Sequence, residues 1–433
     1  MRIAYVIPAY PPLASQPFVV NEMIAVQEAG HEVVVLPLYP APGGGVRHGT
    51  FAHFHPVAVL TPALYDARTA ALAILVMLRH PWRVLRSAGG LYRAAGASVW
   101  SHARLLAVTP KALAAAWRLR RLGVERIHAH FANQTADCAA MAAGVAGLPF
   151  SFTAHAYDIY STAPRQRNAT LDWKLRHAAR VFTVNRYARD LLRARLPAAE
   201  RARVCTAYVG IPTAVFRVEP QPPDVDGLRL VCVGRFQEKK GLDTLVDACA
   251  LLRDRGVRFH LRLIGDGPQR DELRARVARL ALGDHVALSD PMAQEQVAQA
   301  LRESHVFVMP CRRDRTGDMD GIPTVFMEAL ATGRPVVSCA VSGVPELVRD
   351  GETGLLVPPD APGPLADAVQ RLADDPALRA RLGSAGRALV ERQHDQDRNA
   401  RRVVELLAGG DEAGSAGIEP GGLPVLDESP GAR

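Results

Sequence analysis

The stretch "VEPQPPDVDGLRLVCVGRFQEKKGLDTLVDA", Val218 to Ala248, decides the fold. It begins with a break rich in proline and aspartate, Val218 to Gly227. The apolar run "LRLVCV" that follows is typical of a buried strand, and Lys240 and Gly241 then open a helical pattern. This order of a linker, a strand and a helix indicates that a new domain starts at this point of the chain.

Short apolar segments alternate with helical patterns on both sides of this break. The segments before it are "RIAYVIP", "HEVVVLPL", "RIHAHF", "FSFTAH", "RVFTVN" and "RVCTAYV"; those after it are "LRLVCVGR", "HLRLIGDG", "HVALS", "VFVMP" and "RPVVSCAV". Apolar strands separated by helices predict parallel sheets covered on both faces. We therefore predict an α/β protein with two doubly wound, Rossmann-like domains. Ligands should bind in the cleft between them, outside the carboxyl ends of the strands.

The predicted domain boundaries follow from this alternation and from the 433-residue length, which is too great for one ordinary core. We expect a first domain over residues 1–215 and a second over 226–390. A C-terminal helix over 391–408 should return to the first domain. The remaining residues, 409–433, are rich in glycine, proline and acidic side chains, and this composition predicts disorder.

The composition is that of a soluble globular protein, with 48% hydrophobic and 22% charged residues. The six cysteines are widely spaced and form no CxxC pair, which predicts reduced, buried thiols and no zinc finger. The N-terminus lacks the features of a signal peptide. The longest apolar run, Thr69 to Leu78, has about half the length that spans a bilayer. We therefore expect a cytoplasmic protein.

The positive charge is concentrated in one segment, Ala67 to Val124. This segment contains ten Lys or Arg, no acidic residue and three of the four tryptophans, whereas the whole chain has a net charge of +8. A basic segment that also carries tryptophans favours peripheral contact with an anionic membrane, at the inner face of the plasma membrane. The alternative is a set of ordinary solvated helices. No nucleic-acid-binding module accompanies the charge, so we expect no nucleic-acid partner.

Glycines and cations follow the first two strands of the second half. Gly234 and Arg235 end the first strand, and Lys240 opens the next helix, an arrangement suited to a diphosphate. Gly265 follows the second strand, where a tight turn is the alternative interpretation. Arg270 occupies the place of the third glycine of a dinucleotide motif, which disfavours a nicotinamide dinucleotide.

The stretch "GDMDGIPTVFMEALATGRPVV", Gly317 to Val337, combines two acids with a helix start. The proline at the first helical position predicts a helix from about Pro323 to Thr332 whose first amides favour an anion. Glu328, one turn further along, is suited to accept hydrogen bonds from a ribose diol. Asp320 precedes the helix and is placed to meet hydroxyl groups attached to the phosphate. The alternative is a plain helix with one surface glutamate.

Several of these segments resemble one enzyme family. "VGRFQEKKGLDTL", "GIPTVFMEALATGRPVV" and "SGVPELVRDGETGLLVPPDAP" resemble the C-terminal domain of family 4 retaining glycosyltransferases, which have the GT-B fold. "IAYVIPAYPPLASQPFVVNEMIAVQEAGHEV" and "IHAHFANQTADCAAMAAGVAGLPFSFTAHAYDIY" resemble the branch that includes colanic-acid and other exopolysaccharide transferases. The resemblance covers about residues 1 to 408.

The resemblance implies a role for each candidate residue. Arg235 and Lys240 match the cationic pair that binds the donor's diphosphate. Glu328 matches the glutamate that binds the ribose, and His155 matches a histidine that meets the donor sugar. The other contacts to sugar and phosphate fall on one stretch: Asp320 and the backbone of Gly321, Ile322, Pro323 and Thr324.

The reaction implied is transfer of a sugar, with retention, from a UDP- or GDP-linked donor to a saccharide or lipid-linked acceptor in exopolysaccharide or glycolipid biosynthesis. No metal or other cofactor is expected, because the cations stabilise the leaving diphosphate and a phosphate oxygen serves as the base. A GT-B epimerase or phosphorylase and a non-catalytic nucleotide-sugar-binding subunit are the alternatives.

The sequence departs from the family pattern in three respects. Asp320 stands where the family has glutamate. Ser15 and Gln16 replace a glycine pair near the diphosphate, and Pro212 replaces a common aspartate at the hinge.

Overall fold

Two parallel sheets form the computed structural model, one before and one after the proline-rich linker. The structure describes residues 1–10, 17–40, 54–60, 66–163, 167–223 and 226–410. Neighbouring strands of both sheets pair in parallel. The predicted α/β fold with two Rossmann-like domains is therefore confirmed. The predicted disorder of the C-terminal tail falls, from residue 411 onward, outside the described residues.

The first sheet has seven strands in the order β3-β2-β1-β4-β5-β6-β7. They are β1 Arg2–Tyr10, β2 Glu32–Pro40, β3 Ala58–Val59, β4 Arg126–His130, β5 Phe150–Ala154, β6 Arg180–Thr183 and β7 Val204–Thr206. The sequence pattern predicts all of these except β3, which has only two residues and therefore shows no periodicity. The strands are almost wholly buried, because helices cover both faces of the sheet.

Eight helices accompany this sheet in the described residues. They are α1 Pro17–Glu28, α2 Ala67–Arg79, α3 Pro81–Ala94, α4 Val99–Arg121, α5 Gln134–Ala146, α6 Ala156–Tyr160, α7 Leu171–His177 and α8 Arg186–Arg193. The basic segment of the sequence is therefore a layer of three helices, α2 to α4. None of the described helices is both long enough and apolar enough to cross a membrane.

The second sheet has six strands in the order β10-β9-β8-β11-β12-β13. They are β8 Leu228–Val233, β9 Phe259–Ile264, β10 Val286–Ser289, β11 Val306–Val308, β12 Val336–Cys339 and β13 Gly354–Val357. The sequence pattern misses only β13, a short edge strand. Its helices are α9 Leu242–Asp254, α10 Arg270–Arg279, α11 Gln294–Arg302, α12 Thr324–Ala331, α13 Val344–Leu347, α14 Pro362–Asp374 and α15 Pro376–Gln393. The six cysteines are buried, reduced thiols, as their spacing predicts.

The chain passes between the two domains twice, and the two crossing segments are hydrogen-bonded to each other. The amide of Ile211 donates to the carbonyl of His394 over 2.9 Å, and the amide of Gln396 donates to the carbonyl of Ile211 over 3.2 Å. The last helix, α16 Gln396–Leu407, then packs on α1 of the first domain. The expected helix over 391–408 is thus interrupted at the crossing, where α15 ends and α16 begins.

One side chain of the second domain also forms hydrogen bonds with the first domain. Glu346, on α13, accepts hydrogen bonds of 3.0 Å from the backbone amides of Arg186 and Tyr187 at the start of α8. It also accepts a hydrogen bond of 2.6 Å from the hydroxyl of Tyr208. Its carboxylate therefore occupies a helix N-terminus of the other domain, a position that the helix dipole favours. These contacts orient the two sheets toward one another.

Candidate functional site

A cleft of about 970 Å³ lies between the domains. Its first-domain wall follows the carboxyl ends of β1, β4 and β5 and consists of Pro8, Phe131, Asn133 and Tyr157. Its second-domain wall follows β8 and β9 and carries most of the charge, with Arg235, Lys239 and Arg312 on the basic side and Glu238, Asp243 and Asp318 among the acids. The cleft therefore has the position that parallel sheets predict for a ligand.

The turn after β8 carries three cations, of which Arg235 and Lys239 line the cleft. Arg235 is exposed, whereas Lys239 and Lys240 are largely covered. The turn ends at Gly241, which has a φ of 63° and lies so near the backbone that a Cβ there would stand 2.1 Å from the carbonyl oxygen of Pro310. Only glycine fits this position, and it directs the two lysines toward the following loop.

Two ion pairs neutralise these lysines. Lys240 Nζ lies 2.8 Å from Asp320 Oδ2, and Lys239 Nζ lies 2.8 Å from Asp318 Oδ2 and 3.4 Å from Asp320 Oδ1. Burial alone would lower the pKa of Lys240, but the Asp320 carboxylate outweighs it and holds that pKa above its ordinary value. Burial likewise opposes the charge of Asp320, and the two lysines keep the pKa of Asp320 below its ordinary value. All three groups are therefore charged at neutral pH.

The structure thus gives Asp320 a contact that the sequence did not predict. The expected contact of Asp320 with a donor sugar stays a prediction, since the carboxylate lies between the two lysines here. Sequence reasoning also missed Lys239 and Asp318, which both line the cleft. The sequence signals that could have indicated them are "EKK", where Lys239 directly precedes Lys240, and "GDMD", where Asp318 stands two residues before Asp320.

The opening turn of α12 lies at the domain interface. Pro323 precedes the first helical residue and has an extended ψ of 128°, so the helix begins one residue later than predicted, at Thr324. Gly321 and Ile322 are buried before it. A Cβ on Gly321 would lie 2.9 Å from Asn185 Nδ2 of the first domain. The loop that leads into α12 is therefore packed against the first domain, and the first amides of the helix lack intrahelical partners.

Glu328 lies one turn into α12 and is partly buried. Its carboxylate has no hydrogen-bond or salt-bridge partner in the described part of the chain. Burial raises the pKa of Glu328 to about 7. An acidic group that is buried without compensation is typical of a ligand site, because the ligand supplies the missing partners. The expected contact with a ribose stays a prediction.

One of the two predicted glycines has a structural reason. Gly265, at the end of β9, has a φ of 148°, and a Cβ there would lie 1.9 Å from the carbonyl oxygen of Gly234. The two strand ends therefore meet backbone to backbone beside Arg235. This close approach accounts for Gly265, whereas a Cβ on Gly234 would meet its nearest neighbours at 3.8 Å. The predicted contact of both glycines with phosphate stays a prediction. Ser15 and Gln16, the other residues considered for the diphosphate, lie outside the described residues.

His155 lies at the carboxyl end of β5 and caps α6. Its ring packs against Phe131, with 4.5 Å between the ring centroids, and against Phe18, at 5.1 Å. Its Nε2 atom is buried and has no hydrogen-bond partner in the part of the chain that the structure describes, and burial lowers the pKa of His155 to about 3. The imidazole is therefore neutral, and it lines a small cavity of about 40 Å³ behind the cleft. The predicted contact of His155 with a sugar stays a prediction.

Comparisons with known proteins add an independent line of argument. Residues 227–375 match the family described as "Glycosyl transferases group 1". The amylovoran biosynthesis glycosyltransferase of Erwinia amylovora is 28% identical over 413 residues, which cover 92% of this chain and 97% of that protein. The alpha-D-kanosaminyltransferase of Streptomyces kanamyceticus is 31% identical over 284 residues, which cover 61% of this chain and 72% of that protein.

A solved structure shares the fold. The Anabaena protein HepE, crystallised in complex with UDP, superposes with a TM-score of 0.68 over 94% of this chain and 100% of that one. The two sequences are 16% identical, so the likeness concerns the arrangement of the two domains. Proteins with the GT-B fold have this arrangement of facing Rossmann-like domains.

Replacing Asp320 with asparagine should destabilise the protein. The change leaves Lys240 buried beside a neutral amide, and we expect the free energy of unfolding to fall by about 3 kcal/mol, as for other buried pairs that lose one partner. Urea denaturation at neutral pH measures this quantity. The control is Asp271→Asn, whose pair with Arg274 is exposed and whose loss should have no measurable effect. Equal stability of the two variants would show that Lys240 does not depend on Asp320.

Replacing Glu328 with glutamine should stabilise the protein at alkaline pH. The pKa of Glu328 is raised from 4.5 to about 7 on folding, so its contribution to stability is present below about pH 4.5 and lost as the pH rises through about 7. We expect Glu328→Gln to raise the free energy of unfolding by about 1–3 kcal/mol at pH 8 and to leave it unchanged near pH 4.5.

Denaturation of both proteins across this pH range tests the Glu328 prediction. Glu295→Gln, at an exposed position of α11, serves as the control and should follow the wild-type protein at every pH. A Glu328→Gln curve that is parallel to the wild-type curve would contradict the proposed cost of burying this carboxylate.

Proposed function

Because the chain belongs to the group 1 glycosyltransferases, we propose that it moves a hexosyl group, with retention, from a nucleotide sugar to a saccharide or lipid-linked acceptor. The donor is UDP- or GDP-linked, and the product belongs to exopolysaccharide or glycolipid biosynthesis. The amylovoran enzyme, similar to this chain over nearly its whole length, supports this assignment. The observation that carries it is the Glu328 carboxylate, which lies one turn into α12 and has no hydrogen-bond or salt-bridge partner among the described residues.

The proposed donor site divides its contacts among these groups. The diphosphate binds Arg235 and the two lysines, Lys239 and Lys240, together with the first amides of α12. The ribose diol donates two hydrogen bonds to Glu328. This placement satisfies the buried carboxylate, and it keeps the negative charges of phosphate and Glu328 apart by one helical turn.

Binding of the donor requires an exchange of counterions. Asp318 and Asp320 hold the lysines in the unliganded protein, and the diphosphate competes with both carboxylates for the same cations. When the bond to the anomeric carbon breaks, negative charge accumulates on the leaving diphosphate, next to Arg235 and the lysines. We propose that these cations stabilise this charge without a metal ion, and that a phosphate oxygen accepts the acceptor's proton.

A donor panel should identify the reaction. We expect the protein to release UDP or GDP from one of a panel of nucleotide hexoses when lipid-linked and free saccharide acceptors are supplied. Arg235→Ala should reduce kcat/KM by about 100- to 1000-fold, because the variant loses one contact to the charge that develops in the transition state. Arg235 is exposed, so the variant should retain its fold. Arg274→Ala, also exposed in the second domain, is the matched control and should keep full turnover.

The outcomes of the panel separate the alternatives. Interconversion of two nucleotide sugars without nucleotide release would identify an epimerase. Binding of a nucleotide sugar without any turnover would identify a non-catalytic subunit. An Arg235→Ala enzyme as active as the Arg274→Ala control would contradict the proposed diphosphate site while leaving the transferase activity in place.

We also propose that the protein binds its acceptor at an anionic membrane, on the inner face of the plasma membrane. The helices α2 and α3 expose a ridge of apolar side chains next to exposed arginines. The ridge consists of Ile74, Leu75, Met77, Leu78, Trp82 and Leu85, and the arginines are Arg68, Arg79, Arg83 and Arg86. Leu78 is 77% and Trp82 is 80% exposed, values that are high for apolar side chains at the end and start of packed helices.

Two residues of the basic segment do not belong to this surface. Lys111 is buried in α4, and its ammonium group donates to the carbonyls of Pro37 and Leu38. Trp117 packs against the core of the first domain. The sequence places Lys111 among the cations and Trp117 among the aromatic residues of the proposed membrane-facing segment. For these two residues the expectation is wrong. The remaining exposed cations and the apolar ridge support the proposal.

Vesicle co-sedimentation tests the membrane proposal. The protein should bind phosphatidylglycerol vesicles more strongly than phosphatidylcholine vesicles, with a loss of roughly fivefold for each arginine removed near the surface. The double variant Leu78→Glu, Trp82→Glu should lose binding, because it places two charges in the apolar ridge. Leu191→Glu, at an exposed site on α8, is the control and should bind as the wild type does. Equally weak binding to both lipids would refute the proposal.

A further inference from the structure

One carboxylate and two imidazoles meet at the end of β4, behind the cleft. His128 and His130 are two residues apart on the strand, so both rings lie on the same face of the sheet. Glu22, on α1, faces them. One ligand atom of each of the three residues, Glu22, His128 and His130, lies within 4.8 Å of the other two. Both histidines are buried, and only 13% of the Glu22 side chain is exposed.

The distances in this cluster do not suit direct hydrogen bonds. Glu22 Oε1 lies 3.4 Å from His130 Nε2 and 3.8 Å from His128 Nε2, whereas a hydrogen bond from nitrogen to oxygen spans about 2.7–3.2 Å. Among the described residues, neither ring nitrogen of His130 has a hydrogen-bond partner, although both are buried. Buried polar atoms are nearly always paired in native proteins, so these nitrogens are available to a bound group.

The same distances distinguish between a water molecule and a metal ion. Two groups that share one water at about 2.8 Å are about 4.6 Å apart in a tetrahedral arrangement. Two ligands that share one zinc ion at 2.0–2.1 Å are about 3.3 Å apart. The separation of 3.4 Å between Glu22 and His130 agrees with the shared ion, and the separation of 3.8 Å needs only a small movement of His128.

The side chains of this cluster are oriented by hydrogen bonds to neighbouring groups, as the ligands of metal ions usually are. His128 Nδ1 lies 2.9 Å from Ser151 Oγ, a contact that fixes the orientation of the ring. The hydroxyl of Tyr5 donates to Glu22 Oε1 over 3.0 Å, which orients the carboxylate. His128 Nε2 also lies 3.1 Å from Thr153 Oγ1, and an ion bound to this nitrogen takes the place of that contact.

We propose that Glu22, His128 and His130 bind one divalent transition-metal ion of the zinc class. A carboxylate and two imidazoles form a ligand set that zinc accepts, with one position left for water. The cavity of about 40 Å³ that Glu22, His130 and His155 line has room for that water. The ion joins α1 to the end of β4, directly before Phe131 and Asn133 of the cleft wall. Its role is structural, and no step of the proposed transfer passes through it.

A cobalt titration tests this site without any knowledge of the sugar substrates. The protein is purified with its affinity tag removed, stripped with a chelator and titrated with Co²⁺. We expect one equivalent to bind with a visible d–d absorption, and Zn²⁺ to displace it while Mg²⁺ does not. A thiolate-to-cobalt charge-transfer band would place the ion on one of the six cysteines and overturn the proposal. A featureless titration would overturn it as well.

Variants locate the ion within the chain. Glu22→Gln and His130→Gln should each weaken Co²⁺ binding by more than about 100-fold, because each removes a ligand. Tyr5→Phe should weaken it by about 10- to 100-fold, through the lost orientation of Glu22. His260→Gln, at an exposed site of the second domain, is the control and should bind Co²⁺ as the wild type does.

The variant series remains decisive even where a ligand variant does not fold. In that case the wild-type spectrum and the weaker binding of Tyr5→Phe carry the test. Wild-type affinity in a folded Glu22→Gln or His130→Gln protein, or in Tyr5→Phe, would overturn the assignment of these residues as the site.

Discussion

The two domains are held against each other by hydrogen bonds of the crossing segments and by one carboxylate that crosses the domain boundary. Glu346 belongs to the second domain, and it accepts hydrogen bonds from the first amides of α8 and from the hydroxyl of Tyr208 in the first. Hydrogen bonds to a charged group are about twice as strong as those between neutral groups, and the helix dipole adds to them. Because this contact orients the sheets, it also determines which groups of the first domain stand opposite the cations of the second.

The positive charges of the two lysines beside the cleft are balanced by carboxylates of the protein itself. Lys239 and Lys240 are covered on most sides, and a covered ammonium group is costly unless an opposite charge accompanies it. Asp318 and Asp320 provide that charge when no donor is bound. In the proposed donor site, a diphosphate has the same sign as these carboxylates and takes their place, so the lysines remain charged in both states. The proposed site would then be preorganised for an anion, because its cations are held in position by anions of the protein itself.

The sequence predicts the strands and helices that show a local periodicity. It does not predict contacts between residues that are far apart in the chain. The apolar runs identify eleven of the thirteen strands, and the two missed strands, β3 and β13, are short edge strands. The turn after β8 and the start of α12 are likewise local, and both lie within one residue of their predicted places. The pairing of Asp320 with the lysines joins residues about eighty positions apart, and the burial of Lys111 depends on the end of β2. Neither contact leaves a periodic signal in the sequence.

The two acids of the opening stretch of α12 differ in how their burial is compensated. Asp320 is one methylene shorter than the glutamate of the family pattern, and its carboxylate contacts both lysines, at 2.8 and 3.4 Å. Its charge is therefore already satisfied in the unliganded protein. Glu328 has no such partner in the described chain, and its raised pKa expresses the cost of its burial. A buried carboxylate whose free-energy cost the fold does not compensate is typical of a site where a bound ligand compensates it. Of the two acids, Glu328 is thus the one that the unliganded structure leaves open for hydroxyl groups. In the proposed donor site, Asp320 would first be released from the lysines by the incoming diphosphate.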